Sequence, residues 1–403
     1  MGDYNWNALF PEMVQWRRHL HMHPELSYEE HGTMSFVAEK LRSFGIEVRE
    51  QVGDTGLIGV IRGTKPGKTV ALRADMDALP IQDEKQCEYA SQVPGVMHAC
   101  GHDGHMAGLL AVARYFSERQ DQLQGEIRFI FQPAEEVCPG GALKMIEAGA
   151  LEGVDVIYGV HLWTPFPSGQ LASAPGPLMA STDEFFIDIK GKGGHGGMPH
   201  MAVDSLLIGA QLVVQLQSIV SRNVNPLQPA VLTVGTFNSG SAQNIIAETS
   251  RITGTVRTFD DETRMLIKRR IYEVSQQLCA LNDAEASIEY MMGYPTLVNH
   301  AGETERFFRV GRSVFGESHV VQTPPMMPAE DFAYYVQRIP GCFIFVGAGN
   351  ESTGATYPHH HARFDIDESS MLNAARMLAA LAEDYLAEAA TETEGVINEH
   401  HVS

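Results

Sequence analysis

The chain has 403 residues, more than one compact core usually holds, so two domains are expected. Fifty acidic against 29 basic residues give a net charge of -21, a field that repels phosphate backbones and anionic membranes and argues against nucleic acid or membrane as partner. No apolar run approaches the roughly 18 residues that span a bilayer, and the first residues lack the basic-then-apolar order of a signal peptide, so the cytoplasm is the expected compartment.

Residues 12–44 carry apolar positions at helical spacing, interrupted by a turn at His23-Pro24-Glu25. Residues 69–75 read as a buried strand, 105–117 as an amphipathic helix, and 126–132 and 154–161 as further strands, the last closed by His161. Such alternation predicts an α/β fold, a layered sheet with helices on both faces whose ligands gather at the carboxyl ends of strands. From residue 183 the order becomes strand 183–190, helix 202–221, strands 230–237 and 251–259, helix 261–281 and strand 286–292. That β-α-β-β-α-β order is the split ferredoxin-like motif, a complete small α+β domain. Afterwards α/β material resumes, with helices over 302–315 and 330–338, a strand over 342–346 and a helix over 367–388. The first domain is therefore read as discontinuous, 1–180 with 296–403, around an insertion at 181–295. The acidic stretch from Glu383 to Glu399 reads as a fraying tail.

Five scattered cysteines (Cys87, Cys100, Cys138, Cys279, Cys342) do not make a disulfide framework, which leaves Cys100 as a thiol with a possible task. It sits in Met97-His98-Ala99-Cys100-Gly101-His102-Asp103-Gly104-His105, a glycine-punctuated loop before a helix that can turn several side chains toward one point. Thiolate and imidazole suit zinc, and imidazole also suits cobalt, nickel or manganese when carboxylates complete the set. A surface loop with incidental histidines is the competing reading. Gln132-Pro133-Ala134-Glu135-Glu136 ends an apolar strand, and adjacent carboxylates there repel each other unless a cation is near. One can then bind the metal while its neighbour acts as general base on water; otherwise the pair is a solvated start to a helix. His161 is a ligand or a hydrogen-bonded core histidine. Asp77, at the end of Arg73-Ala74-Asp75-Met76-Asp77, orients a ligand histidine or belongs to an Asp-rich turn. His359-His360-His361 supplies a ligand or decorates the surface. Taken together these residues favour a dinuclear metal site at the carboxyl edge of the sheet.

The set His21-Met22-His23-Pro24-Glu25-Leu26-Ser27, LRADMDALP (72–80), HACGHDGH (98–105), AEE (134–136), GVHLW (159–163), GKGGHGGMPH (191–200), GTVRTFD (254–260), AEDFAYY (329–335) and HHHARFDIDE (359–368) resembles the amidohydrolase branch of the aminoacylase-type metallopeptidases, peptidase M20. That branch holds aminoacylases, hippurate hydrolases, auxin-conjugate hydrolases, N-acetyldiaminopimelate deacetylases and some carboxypeptidases. The resemblance spans nearly the whole chain in motif order and spacing. It implies a metal-dependent exopeptidase-like catalytic domain with an inserted ferredoxin-like lid that also dimerises, giving a homodimer or homotetramer. It further implies two divalent ions (zinc, manganese, cobalt or nickel) held by Cys100, His102, Glu136, His161 and one histidine of the run 359–361. Cys100 stands where related branches place a bridging carboxylate, so a bridging thiolate is the expectation. Glu135 is implied as the base that deprotonates the attacking water and hands the proton to the leaving amine, with Asp77 steadying the site.

Two departures from the family pattern matter. A proline usual after the second residue of the histidine run is missing; counting back from Phe364 selects His360, with a one-residue shift left open. In Asn244-Ile245-Ile246-Ala247 a proline commonly replaces Ala247, which touches only the local turn. By resemblance His195 reaches the active site of the partner subunit and stabilises the oxyanion, although its glycine-rich setting alone reads as a flexible turn. Asn244 and Arg257 match positions that grip the substrate carboxylate, where an arginine is otherwise most often a surface ion pair. The implied activity is cleavage of N-acyl-L-amino acids to a carboxylate and a free amino acid. Its rivals are an N-acetyldiaminopimelate deacetylase, a metallo-carboxypeptidase on small peptides, and a metal- or peptide-binding protein without catalysis. A spare Glu135 speaks against the last, because a store needs no base.

Overall fold

The computed structural model describes residues 4–399, with side chains through residue 389. Contacts divide them into two compact units, one formed by the residues up to Gly176, Val298–Pro324 and those from Asp331, the other by Pro177–Leu297 with Pro325–Glu330.

The first unit is built on an eight-stranded mixed sheet in the order Glu47–Val52, Gly56–Arg62, Gln124–Gln132, Lys65–Asp75, Val156–Pro167, Gly341–Gly349, Leu171–Ser173, Val320–Gln322. Its centre is parallel: Lys65–Asp75 pairs in parallel with Gln124–Gln132 and Val156–Pro167, and the latter with Gly341–Gly349. These strands are buried on both faces and so read as unbroken apolar runs. The first two strands add an antiparallel hairpin at one edge. Helices Trp6–Met22, His102–Ser117 and Ser370–Glu399 pack on one another, and the last two also cover the central strands, enclosing a core that runs from Trp6 and Met13 through Leu72 and Phe129 to Leu378.

Several boundaries differ from the sequence reading. The helical stretch expected over 12–44 is two helices, Trp6–Met22 and His31–Ser43, joined by an eight-residue turn rather than a three-residue one. The helix expected over 330–338 shrinks to Ala333–Val336. Glu383 opens no tail: it lies inside Ser370–Glu399 and accepts a hydrogen bond from the Tyr115 hydroxyl. His161 does not close its strand, which continues to Pro167 alongside Gly341–Gly349, whereas pairing with Lys65–Asp75 stops at Gly159.

Helix His102–Ser117 begins one turn earlier than its apolar periodicity suggests. Gly101, at φ 91°, supplies the left-handed residue that turns the chain into it. Gly104 permits close packing, since a Cβ there would lie 2.6 Å from Leu162 Cδ1 and 2.7 Å from Ile366 Cδ1. All five cysteines are free thiols, and no helix among the described residues is long and apolar enough to cross a membrane.

In the second unit a four-stranded antiparallel sheet has the order Ala230–Ser239, Thr249–Thr258, Asp183–Lys190, Glu285–Met292, the ferredoxin-like order. Helices Ser205–Asn223 and Asp261–Leu281 pack on it, and Phe185, Ile187 and Ile189 alternate inward beneath them. Asp204 and Asp260 cap the two helices through their side-chain oxygens.

Candidate metal centre

Five pieces of the first unit bring polar side chains to one place: the end of strand Lys65–Asp75, the start of helix His102–Ser117, the loop after strand Gln124–Gln132, the middle of strand Val156–Pro167 and the loop carrying His359–His361. Cys100, His102 and His161 offer ligand atoms within 4.8 Å of one another, as do Cys100, Glu136 and His360, and His102, Glu135 and Glu136. The shared members make one continuous cluster of Cys100, His102, Glu135, Glu136, His161 and His360. Within it Cys100 Sγ lies 3.5 Å from His161 Nε2, His102 Nε2 lies 3.8 Å from Glu136 Oε1, and His360 Nε2 lies 3.4 Å from Glu136 Oε2.

Asp77 stands behind this cluster. Its two carboxylate oxygens accept the Glu135 and Glu136 backbone N–H groups at 3.0 and 2.9 Å, and the Ser27 hydroxyl donates to it at 2.7 Å. Its backbone carbonyl lies 2.9 Å from His102 Nδ1, so that Nε2 points into the cluster. Burial alone raises the Asp77 pKa, but hydrogen bonds from His102, the Glu136 amide and Ser27 hold it below the usual carboxylate range.

Without a cation the arrangement is electrostatically incomplete. His102 Nε2 and Glu136 Oε1 are buried and find no hydrogen-bond partner among the described residues, an arrangement that costs about 1–3 kcal/mol per orphaned group. Burial lowers the pKa of His102, yet Asp75, Asp77 and Glu136 outweigh it and lift the imidazole to about 10. Burial and then Glu136 and Glu135 push the Cys100 thiol well up. Burial holds His161 well down, in the neutral form that ligates metals. A set of one sulfur, three imidazole nitrogens and carboxylate oxygens fits divalent zinc and its neighbours in the first transition row.

The three histidines of the run part ways. His360, at φ 64°, turns its Nε2 to Glu136, while its N–H donates to Ala99 O at 2.8 Å. His359 stacks on Trp163 at 4.4 Å between ring centroids; its Nε2 accepts from Thr164 N–H, and its Nδ1 lies 3.7 Å from Cys100 Sγ. His361 stacks on Tyr357 and accepts from Arg363 N–H.

Of the other imidazoles in the 98–105 motif, one lies apart, while His105 forms a further ligand group with Asp75 and His102. His98 enters none of the ligand groups, and burial holds it down at about 3. His105 has both ring nitrogens engaged, Nδ1 with Asp75 Oδ1 at 2.6 Å and Nε2 with Leu162 N–H at 2.8 Å. Sequence reasoning missed that Asp75 pair and the buried Arg73, which binds Asp75 at 2.7 Å and Asp331 at 2.9 Å. Asp75 was visible only as a second acid at the same strand end.

His195, Asn244 and Arg257 belong to the second unit. His195 is exposed and pairs with Ile245 in a two-residue ladder, and Gly196 N–H donates to Asn244 O at 2.8 Å, so the glycine-rich turn and Asn244 are neighbours. Arg257 is half-buried opposite Val231.

A parallel-centred sheet with clustered sulfur, nitrogen and carboxylate donors at its carboxyl edge defines the class, an α/β protein with a candidate centre for divalent metal. The chain belongs to peptidase family M20/M25/M40, whose sequence pattern matches residues 71–384. It is 48% identical over 289 residues to an N-acyl-L-amino acid amidohydrolase of Geobacillus stearothermophilus, covering 72% of this chain and 78% of that protein. It is 43% identical over 378 residues to thermostable carboxypeptidase 1 of Saccharolobus solfataricus, covering 93% and 94%. A solved Bacillus subtilis structure, described as a dinuclear metal-binding peptidase of the M20 family, is similar with a TM-score of 0.82 at 34% identity, covering 94% of this chain and 99% of that one.

Proposed function

We propose that this chain hydrolyses the amide bond of N-acyl-L-amino acids, releasing a carboxylate and a free amino acid. The observation that carries the reading is a pair of adjacent glutamates with divided surroundings: both stand beside His102, but Glu136 also shares a ligand group with Cys100 and His360, which Glu135 does not. In this reading Cys100, His102, Glu136, His161 and His360 would hold two divalent ions. Once bound, the ions supply Lewis-acid polarisation of the amide carbonyl and lower the pKa of water toward about 7. Glu135 takes a proton from the attacking water and returns it to the departing amine. Asp77 fixes both glutamate amides and the His102 ring. His195, delivered by a second copy of the chain, steadies the oxyanion, and Asn244 and Arg257 grip the substrate carboxylate.

The kinship with a carboxypeptidase at 43% identity supports a second reading, cleavage of small peptides at the C-terminal residue, since the same grip on a free carboxylate serves both substrates. A panel separates them: protein stripped with chelator is reloaded with zinc, manganese, cobalt or nickel and offered N-acetyl-methionine, hippurate, N-acetyl-diaminopimelate and blocked dipeptides. The proposal expects amine release from the simple acyl amino acids at the highest kcat/KM. Faster release from the blocked dipeptides overturns it in favour of the second reading.

A further inference from the structure

Residues 23–30, between the first two helices, contribute no atom to the ligand groups, yet they tie down the turn that carries Asp77 and the loop that carries Glu135 and Glu136. Glu25 O accepts the Ala78 N–H at 2.8 Å, Ser27 donates to Asp77 at 2.7 Å, and Tyr28 donates to Gly140 O at 3.1 Å. The last tie is Glu30, whose carboxylate is fully buried. One of its oxygens accepts the Ala134 N–H at 2.8 Å and the other accepts the Thr55 hydroxyl.

Ala134 is the residue just before the two glutamates, and it sits at φ 52°. A residue with a Cβ keeps that left-handed backbone only where its surroundings enforce it. Here three successive amides, those of residues 134, 135 and 136, all donate to buried carboxylates, the first to Glu30 and the next two to Asp77. The backbone angles at residue 134 decide where the Glu135 and Glu136 side chains emerge. A buried carboxylate is costly to desolvate, so its retention against the peptide that precedes both glutamates points to a demand at the Ala134 amide.

We infer that Glu30 is a positioning residue, whose carboxylate holds the Ala134 peptide in the left-handed conformation that delivers Glu135 and Glu136 to the ligand cluster. The kinetic part of this inference rests on the proposed amide hydrolysis; the metal-binding part does not.

The test uses the full-length protein, stripped of metal, with zinc affinity read by competition against a chromophoric chelator and turnover read on the best substrate of the panel. Glu30→Ala and the volume-filling Glu30→Met are expected to weaken zinc binding about tenfold and to lower kcat about 10- to 100-fold, the range usual for supports lying behind metal ligands, with KM little changed. Glu30→Gln keeps an acceptor oxygen for Ala134 and recovers most of both losses. Thr55→Val removes the other partner of the same carboxylate, so it lowers Tm but leaves zinc affinity and kcat in place. Ala134→Gly added to Glu30→Ala restores much of the affinity, because glycine takes the left-handed backbone freely.

If the folded Glu30→Ala and Glu30→Met proteins bind zinc like the wild type, or if Thr55→Val loses affinity as far as they do, Glu30 supports only the fold and the inference fails. Should the wild type release amine from no member of the panel, the proposed function falls while the zinc titration still decides this point.

Discussion

At the scale of single residues, the candidate site is a problem of unmatched charge solved by converging donors. Glu136 faces His102 and His360 from opposite oxygens, and the remaining capacity of each points at common space. This distinguishes the members of the histidine run. His360→Ala removes a side chain of the cluster, whereas His361→Ala removes a ring stacked on Tyr357. We expect His360→Ala to retain one tightly bound ion per chain and His361→Ala two, as counted by elemental analysis after dialysis. Equal counts would move the ligand role elsewhere in the run. The dense 98–105 motif and the paired glutamates could be read from sequence because their chemistry lies within a few adjacent positions. The support of Asp75 for His105 and of Arg73 for Asp331 could not, because those partners are 30 and 258 residues apart and meet only through the sheet.

At the scale of elements, local sequence marks where chain segments must bend. Gly141 opens a short helix directly after the glutamates, and a Cβ there would stand 1.9 Å from the Pro133 carbonyl oxygen, which is backbone and cannot swing aside. Its N–H also donates to Ala134 O. Gly141→Ala is therefore expected to destabilise by about 1–3 kcal/mol, as overpacking usually does, and to lower metal content as the 133–136 peptide shifts. An unchanged Tm with full metal would show that this turn has slack. Periodicity revealed the central strands because burial on both faces makes them apolar throughout. The edge hairpin of Glu47–Val52 and Gly56–Arg62 escaped notice, since its outer strand is mostly polar, with Val48 and Val52 its only apolar residues, and its inner strand is an apolar run too short for its period to tell strand from helix. The helix expected over 330–338 failed for another reason: Asp331 is drawn into hydrogen bonds with Arg73, Gln132 and the Ala142 amide, which holds the chain in a turn.

At the scale of the whole molecule, the α/β order with an embedded β-α-β-β-α-β stretch was legible because each element type carries its own period, two or 3.6 residues. What sequence did not reveal is how the first unit is tied together. Arg17, fully buried on the first helix, binds Asp103 at 2.7 Å, Asp365 at 2.6 Å and Glu368 at 3.2 Å, joining the N-terminal helix to the helix that carries His102 and to the segment after the histidine run. Burial raises the pKa of Asp103 and of Asp365, but Arg17 together with His21 and His98 at Asp103, and with Lys85, Tyr89 and His21 at Asp365, outweighs it, so each carboxyl ends below its usual range. Carboxylates with a depressed folded pKa stabilise fully above their unfolded value and lose that contribution as pH falls through the folded one. Arg17→Met should thus cost about 3–5 kcal/mol at neutral pH, the toll of stranding buried charges, with a gap from wild type that narrows below about pH 4. Urea unfolding at several pH values reads this out, and a gap independent of pH would contradict it.

The measurement closest to the centre of the account is the metal content and turnover of Glu135→Gln determined on one preparation. With Glu135 moving the proton and the other five side chains holding the ions, the variant keeps two ions per chain and loses about 10²- to 10⁴-fold in kcat, the usual contribution of a positioned base. A variant that turns over near the wild-type rate, or one that loses its metal along with its activity, contradicts that division of labour.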